Sequence, residues 1–441
     1  MEQRRKNLTQ LFIPICLETL LYMLSGMVDT LMLSSVNDQA VGAVGTANTY
    51  IGIFIIMFSV ISSGMVAVMT QNIGAGRTGG AYQARQLGLT FNAVLGIIVS
   101  LILTFGAGAI LAGVGVADAL MQPARTYLQI VGGFCILNAL IPICSSYLRA
   151  FGFSKEPLYA SIIGNVINFC LNAFFLFVLH KGVAGVATAT VISRIINLVI
   201  VVLLGAVLVK AKQHPERESN RAVMGQIIRI GLPSACETAI YNVSMTLVIR
   251  FLNQMDAQGL NVTARSYTMQ ITNFSYCVGA ALAQANAIMT GWHIGAKEYD
   301  ACDRGTKKAA VIGVIVAVIL ETVFTLCSGW IMQLFSKDPQ MVSLVGKLLA
   351  IDIVLEIGRV TNLVYGQALK TSGDAVFPVV MGVCFMILCS VGGTYLFGIR
   401  LGLLAVGAYI GMAGDECVRA IGMYLRWKSG KWKEKGLVKS R

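Results

Sequence analysis

Between Asp38 and Arg77 lie 38 residues without one charged side chain. A helix needs roughly 20 predominantly apolar residues to cross a bilayer, and a stretch of this length has no natural place in a water-soluble domain. Comparable uncharged gaps separate Arg85 from Asp118 (32 residues), Arg125 from Arg149 (23), Glu156 from Lys181 (24), Arg265 from Lys297 (31) and Asp374 from Arg400 (25). Over all 441 residues 12% are charged and 56% hydrophobic, and the mean hydropathy is +0.73, whereas soluble domains carry about a quarter charged residues. Lipid admits only helices and closed barrels, because every backbone polar group must be paired internally. A barrel would be written as short alternating segments. The expected fold class is therefore all-α: a polytopic membrane protein of twelve transmembrane helices, its 46 glycines suiting close helix packing. The apolar run over 11–33 is too long for a signal-peptide core, so no cleavable signal is expected.

The net charge of +13 would suggest nucleic acid in a soluble chain, but its distribution excludes that reading. Twenty-four Lys and Arg fall in the N-terminus, the even-numbered connections and the C-terminus, and at most seven in the odd-numbered ones; Arg194, Arg359 and Arg419 lie within spans. By the positive-inside rule both termini face the cytoplasm and the number of spans is even. The eleven Cys include no CxxC pair and the three His fall at span ends or in loops, so neither a disulfide framework, a metal site nor a catalytic triad is expected.

The chain repeats itself. Pro14, Glu18, Thr19, Tyr22 and Ser25 match Pro233, Glu237, Thr238, Tyr241 and Ser244 at an offset of 219, and Ile73-Gly74-Ala75 matches Ile294-Gly295-Ala296 at 221. At that second offset Leu148-Arg149, Gly152 and Pro157 fall on Leu369-Lys370, Gly373 and Pro378. Ordered matches at nearly constant spacing indicate an internal duplication of six helices, which places the halves about an axis along the membrane normal. The expected organisation is an N-terminal lobe over 1–209, a polar cytoplasmic linker over 210–226, a C-terminal lobe over 227–428 and a basic, solvated tail over 429–441, with an interfacial lipid anchor as the other reading of the tail.

Ionisable groups inside a membrane cost about 2.5–3.5 kcal/mol each on insertion scales and point to function by default. On the first span Glu18, Tyr22, Ser25 and Asp29 form one polar stripe, with the two acids about 16 Å apart along the axis at 1.5 Å per residue. The seventh span repeats Glu237, Tyr241 and Ser244 but has Val248 in place of the second acid. Glu18 and Glu237 have a structural alternative, stabilisation near a proline-containing first turn by the helix dipole. Asp29 has no helix start near it and no cation within four residues, which favours a functional role. On the tenth span Asp352, Glu356 and Arg359 share a face; a Glu356–Arg359 pair is expected, leaving Asp352 spare. Asp415 and Arg419 on the twelfth span suit a structural pair, Glu321 on the ninth span has no evident partner, and Asn165, Asn168 and Asn172 on the fifth span either bond between helices or line a cavity.

The chain resembles the multidrug and toxic compound extrusion (MATE) family of secondary transporters along its whole length. The residues that carry the likeness are Pro14, Glu18 and Val28-Asp29-Thr30; 72–76 after the second span; Gly231, Pro233 and Glu237; 367–374 after the tenth span; and Asp415, Glu416, Arg419, Arg426 and Trp427 at the end. The resemblance implies two six-helix lobes about a V-shaped cavity and export of organic, often cationic, small molecules in exchange for H⁺ or Na⁺, with no other cofactor. It assigns the membrane acids to Asp29 and Glu237. Glu18, Tyr22, Tyr241, Asn168, Asn172, Asp352 and Glu356 complete the expected cation- and substrate-binding set. Some sodium-coupled members carry an acid where this chain has Arg359, which argues against a sodium site at that position. The implied setting is a monomer in the cytoplasmic (inner) membrane, its partners being the substrate, the coupling cation and the bilayer. A lipid-linked precursor flippase is the competing reading, favoured if Arg194 and Arg359 are unpaired. A membrane enzyme would need acids clustered with His, and a channel does not suit a six-plus-six duplication.

Overall fold

A computed structural model describes residues 6–35, 38–113, 116–209, 218–256, 258–333 and 335–438. Fourteen α-helices and no strands occur among these residues. The first half contains α1 (Leu8–Ser34), α2 (Asp38–Gly74), α3 (Thr78–Gly113), α4 (Asp118–Gly133), α5 (Ile136–Ala150), α6 (Lys155–Ala173) and α7 (Gly182–Leu208). The second contains α8 (Asn220–Met255), α9 (Leu260–Gly295), α10 (Tyr299–Leu326), α11 (Ser328–Met332), α12 (Pro339–Ser372), α13 (Val376–Phe385) and α14 (Leu404–Lys428). These make twelve spans once α4 and α5, bent by 43° at their junction, count as one and the short α11 is set aside. Among the described residues seven helices are apolar and long enough to cross a membrane alone, eight with the bent pair. Among the twelve spans α8, α9, α12 and α14 fall short, and α9, α12 and α14 bury charged side chains, Arg265, Glu356 and Arg419 among them. Large apolar side chains cover the outside, Phe105, Leu326 and Trp330 among the most exposed, as a surface facing lipid requires.

The duplication is visible in the backbone as well as in the residues. The α4–α5 pair and α12 begin at Asp118 and Pro339, 221 positions apart. A π-helical turn over Phe174–Val178 ends the fifth span, and π-helical turns over Met386–Val391 and Thr394–Arg400 end its counterpart. Left-handed backbone recurs at equivalent places although the residues differ: Gly76 answers to Lys297, and His180 and Gly182 to Gly402 and Leu404. At Gly152 and Gly373 both copies keep the glycine that such a backbone prefers.

The chain divides into two compact units, residues 1–232 and 233–441. The boundary lies at Pro233 inside α8 and not in a polar linker: of the expected linker, 210–217 lies outside the described residues and 220–226 is already helical. Val223, Ile227 and Ile230 are buried in the first unit, which draws the start of α8 into that lobe. Two glycines permit the approach. A Cβ on Gly231 would sit 1.6 Å from the Val60 carbonyl oxygen, and one on Gly64 1.9 Å from that of Ile227. Gly231→Ala should therefore destabilise by about 1–3 kcal/mol through overpacking, despite alanine's better helix propensity, and appear as a lowered thermal midpoint of the detergent-solubilised protein.

Within the first unit α2, α3, α4, α5 and α7 share one apolar core that includes Ile51, Phe58, Leu103, Leu128 and Leu137. The second unit is organised on α12, which packs against α9, α10 and α14. Gly358 sets the α12–α14 approach, since a Cβ there would lie 2.7 Å from the Cys417 backbone nitrogen. That closeness brings the charged residues of the two helices into contact.

The tail expectation needs correction. Trp432 is buried and stacks on Trp427, their rings 4.1 Å apart, and its Nε1 donates to the Trp427 carbonyl at 2.9 Å. Trp427 Nε1 donates to Asp303 at 2.9 Å, Arg426 pairs with Asp374 at 2.7 Å, and the Lys435 carbonyl oxygen occupies the place of a Cβ on Gly373. The segment through Leu437 is thus folded onto its own lobe, because two indoles remove more apolar area from water than the intervening lysines oppose.

Candidate functional site

Asp29 points into the first lobe. Asn172 Nδ2 donates to its Oδ1 at 2.7 Å and to Asn168 Oδ1 at 3.2 Å, so the two residues one turn apart on α6 act together on the acid of α1. The Asn172 side-chain oxygen, Oδ1, is buried without a hydrogen-bond partner among the described residues, leaving a second acceptor beside the carboxylate. Arg194 of α7 interacts electrostatically with Asp29. Tyr127 of α4 hydrogen-bonds with Asn48 and lies in electrostatic range of Arg194, Asp29 and Tyr22. Tyr22 is 70% exposed on the lobe's surface, on the same stripe as Asp29. The site is a carboxylate held by an amide, with a guanidinium and a phenol at its edge.

Glu18 and Glu237 are placed differently from the expected binding role. Arg149 Nη2 lies 2.5 Å from Glu18 Oε2, and Lys370 Nζ lies 2.6 Å from Glu237 Oε2. The pairs are counterparts in the repeat, each joining the first helix of a lobe to the end of its fourth span. Both acids are therefore neutralised inside their own lobes, and neither is a free membrane acid. The pairing also replaces the helix-dipole account, since a specific cation reaches each carboxylate. Glu18→Gln should lower stability by roughly 1–3 kcal/mol by leaving Arg149 without its carboxylate, and the exchanged pair Glu18→Arg with Arg149→Glu should recover much of it. Thermal unfolding of the single and double variants measures the recovery.

In the second lobe the expected Glu356–Arg359 bond is present and belongs to a larger network. Arg359 donates to Glu356 and lies 3.7 Å from Glu416; Arg419 pairs with Asp415 at 2.9 Å and with Glu416 at 2.7 Å. Asn362 donates to Glu416 at 3.0 Å and Ser390, from the π-helical turn, to Asp415 at 2.9 Å. Glu416 thus bridges two arginines. A cavity of about 410 Å³ opens beside this network, its wall including Tyr241, Arg265, Asp352, Arg359, Glu416 and Lys370. Tyr241 and Asp352 keep places at this cavity, while Glu237 reaches its wall as one half of an ion pair. Asp352 is not spare: Glu321, which had no evident partner in sequence, meets it and Glu356.

The MatE family model matches residues 14–174 and 233–396, once in each half, the second match starting 219 positions after the first (233 against 14). The chain belongs to the MatE family. It is 34% identical over 96% of its length to the "Uncharacterized transporter YisQ" of Bacillus subtilis, of which the match covers 94%. It is 22% identical over 98% of its length to the "Probable multidrug resistance protein NorM" of Thermotoga maritima, again with 94% of that protein covered. Among solved structures, one described as "Crystal structure of MATE in the straight conformation" superposes with a TM-score of 0.88 at 19% identity, covering 97% of this chain and 96% of the other. An outward-facing MATE transporter of the MOP superfamily gives 0.87 at 18%, covering 98% and 96%. At such identities the structural likeness is one of fold: twelve helices in two six-helix repeats. A MatE chain is a multi-pass membrane transporter.

The sequence alone missed Arg194 and Tyr127 as neighbours of Asp29 and Arg149 and Lys370 as partners of the two glutamates. Arg149 and Lys370 did carry a signal, since each half keeps a cation at one repeat position just as it keeps the glutamate at another.

Proposed function

We propose that this MatE transporter exports organic cations or amphipathic compounds across the cytoplasmic membrane in exchange for an inward-moving cation, and that Asp29 is the group both species use. The supporting observation is the Asp29–Asn172–Asn168 arrangement, a membrane carboxylate positioned from a second helix with an acceptor left over. One carboxylate cannot hold a proton and an organic cation together, so each displaces the other. Alternating access then converts an inward proton gradient into outward export, as a shift of population between two arrangements of the lobes. The relatives named for multidrug resistance support the substrate class by analogy. The excess of Lys and Arg in the termini and the even-numbered connections supports a cytoplasmic position for both termini.

The flippase reading needs cationic side chains free to hold an anionic headgroup. Arg359 is instead paired with Glu356 and close to Glu416, and Arg194 faces Asp29, so both are balanced by acids. Reconstitution tests the proposal: proteoliposomes loaded to impose a pH gradient, then a Na⁺ gradient, should drive movement of a fluorescent organic cation under at least one of them. Gradient-independent leakage, or no movement under either, sinks it.

A further inference from the structure

Arg265 of α9 lines the second-lobe cavity and is 6% exposed, yet no acid balances it. Among the described residues its guanidinium pairs with no carboxylate: Nη2 donates to the Met245 sulfur at 3.8 Å, and Nε is buried without a partner. A thioether is a weak acceptor, and buried charges are normally paired. The other three cations of the same wall follow that rule. Arg359 bonds to Glu356, Lys370 pairs with Glu237 at 2.6 Å, and Arg419 pairs with Asp415 and Glu416. Asp352, the remaining acid on the wall, adjoins Glu321 and Glu356, and the cation that acts on it is Arg359. One positive charge is therefore left over, and it is Arg265. The duplication does not account for it, because the residue 221 positions earlier is Val44, an apolar side chain packed on the first lobe's core. The rest of the wall suits a flat apolar body, since it includes Tyr241, Tyr276 and Tyr409 with Met245, Met269 and Met412. Tyr409, 2% exposed, interacts electrostatically with Arg265 and so places the charge beside the rings. The volume of about 410 Å³ falls in the range of small-molecule sites.

We propose that the second-lobe cavity binds an aromatic carboxylate, its anionic group held by Arg265 and its ring among the tyrosines and methionines. A guanidinium matches a carboxylate in charge and in planar shape. A single unbalanced charge is neutralised by a monocarboxylate, whereas a diphosphate headgroup would need several free cations. Methionine thioethers adapt to an aromatic face, and tyrosine rings stack against one. The site takes the charge opposite to that of an organic cation and lies in the other lobe from Asp29. It does not rest on the export reading, because it requires binding and no transport.

The test is equilibrium binding of tritiated 1-naphthoate to the full-length protein in phosphatidylcholine nanodiscs, with the signal of empty nanodiscs subtracted. Saturable binding is expected, and 1-naphthamide, of the same shape but uncharged, should compete about tenfold more weakly. Arg265→Gln should weaken naphthoate by about tenfold or more. Met269→Trp adds bulk at a wall position that is 45% exposed and so can accept it; it should block the cavity even if Arg265→Gln fails to fold. Asp29→Asn should retain binding. Absence of saturable naphthoate binding would overturn the site, as would equal competition by naphthamide. Binding that persists in Arg265→Gln and Met269→Trp, or that disappears in Asp29→Asn, would place the ligand elsewhere and overturn it too. Displacement by inorganic diphosphate at lower concentration than by unlabelled naphthoate would assign Arg265 to a phosphate and reject the aromatic carboxylate.

Discussion

Asp29→Asn should abolish gradient-driven export, lowering the coupled rate on the order of a hundredfold, the upper part of the range over which two ligands influence one another through a shared site. The substitution keeps the size of the side chain and an oxygen that can accept from Asn172, now 2.7 Å from Asp29. What it removes is the negative charge for which proton and substrate compete. The fold should survive, since the amide keeps the shape of the side chain and its hydrogen bond with Asn172. Asn172→Ala should have a smaller effect of the same kind, about tenfold, because the carboxylate remains but loses the hydrogen bond that orients it. Transport in proteoliposomes, with thermal midpoints measured alongside, separates lost coupling from lost folding.

Arg419→Ala should be the most damaging substitution for stability. The guanidinium is 4% exposed and serves Asp415 (2%) and Glu416 (8%) at once. Removing it strands Asp415 and leaves Glu416 with Arg359 at 3.7 Å. Breaking a buried pair in this way costs about 3–5 kcal/mol, whereas replacing both partners by apolar residues is close to neutral. Arg419→Met combined with Asp415→Leu should therefore be more stable than Arg419→Ala alone. Urea or thermal unfolding in detergent decides the order. If the single variant is as stable as wild type, the network is not what joins α12 to α14.

What could be read from the sequence was what is local or repeated along it. The spans followed from the uncharged gaps, and the duplication from matches at offsets of 219 and 221. Glu356–Arg359 and Asp415–Arg419 were legible because residues three and four apart face each other on a helix. Partners brought together by tertiary packing were not. Glu18 and Arg149 are 131 residues apart and Glu237 and Lys370 are 133 apart, and no periodicity on one helix foretells either. Glu237 looked like a membrane acid for that reason. Glu321 had no neighbour in its own helix, and its company of Asp352 and Glu356 depends on how α10 packs on α12. The tail's basic flanks read as a solvated end or a lipid anchor, and neither foretells the stacking of Trp432 on Trp427. The start of α8 was misplaced for a related reason. Its polar beginning reads as a linker until the glycines at 64 and 231 are seen to admit close backbone contact.

The most direct measurement is the affinity of the purified protein for a fluorescent organic cation as a function of pH, in wild type and in Asp29→Asn. Competition of proton and cation for one carboxylate predicts that affinity falls on the acid side with a limiting slope of about one proton per cation, and that the variant binds weakly with no such slope. The same pH dependence in both proteins would contradict a role for Asp29 as the shared group.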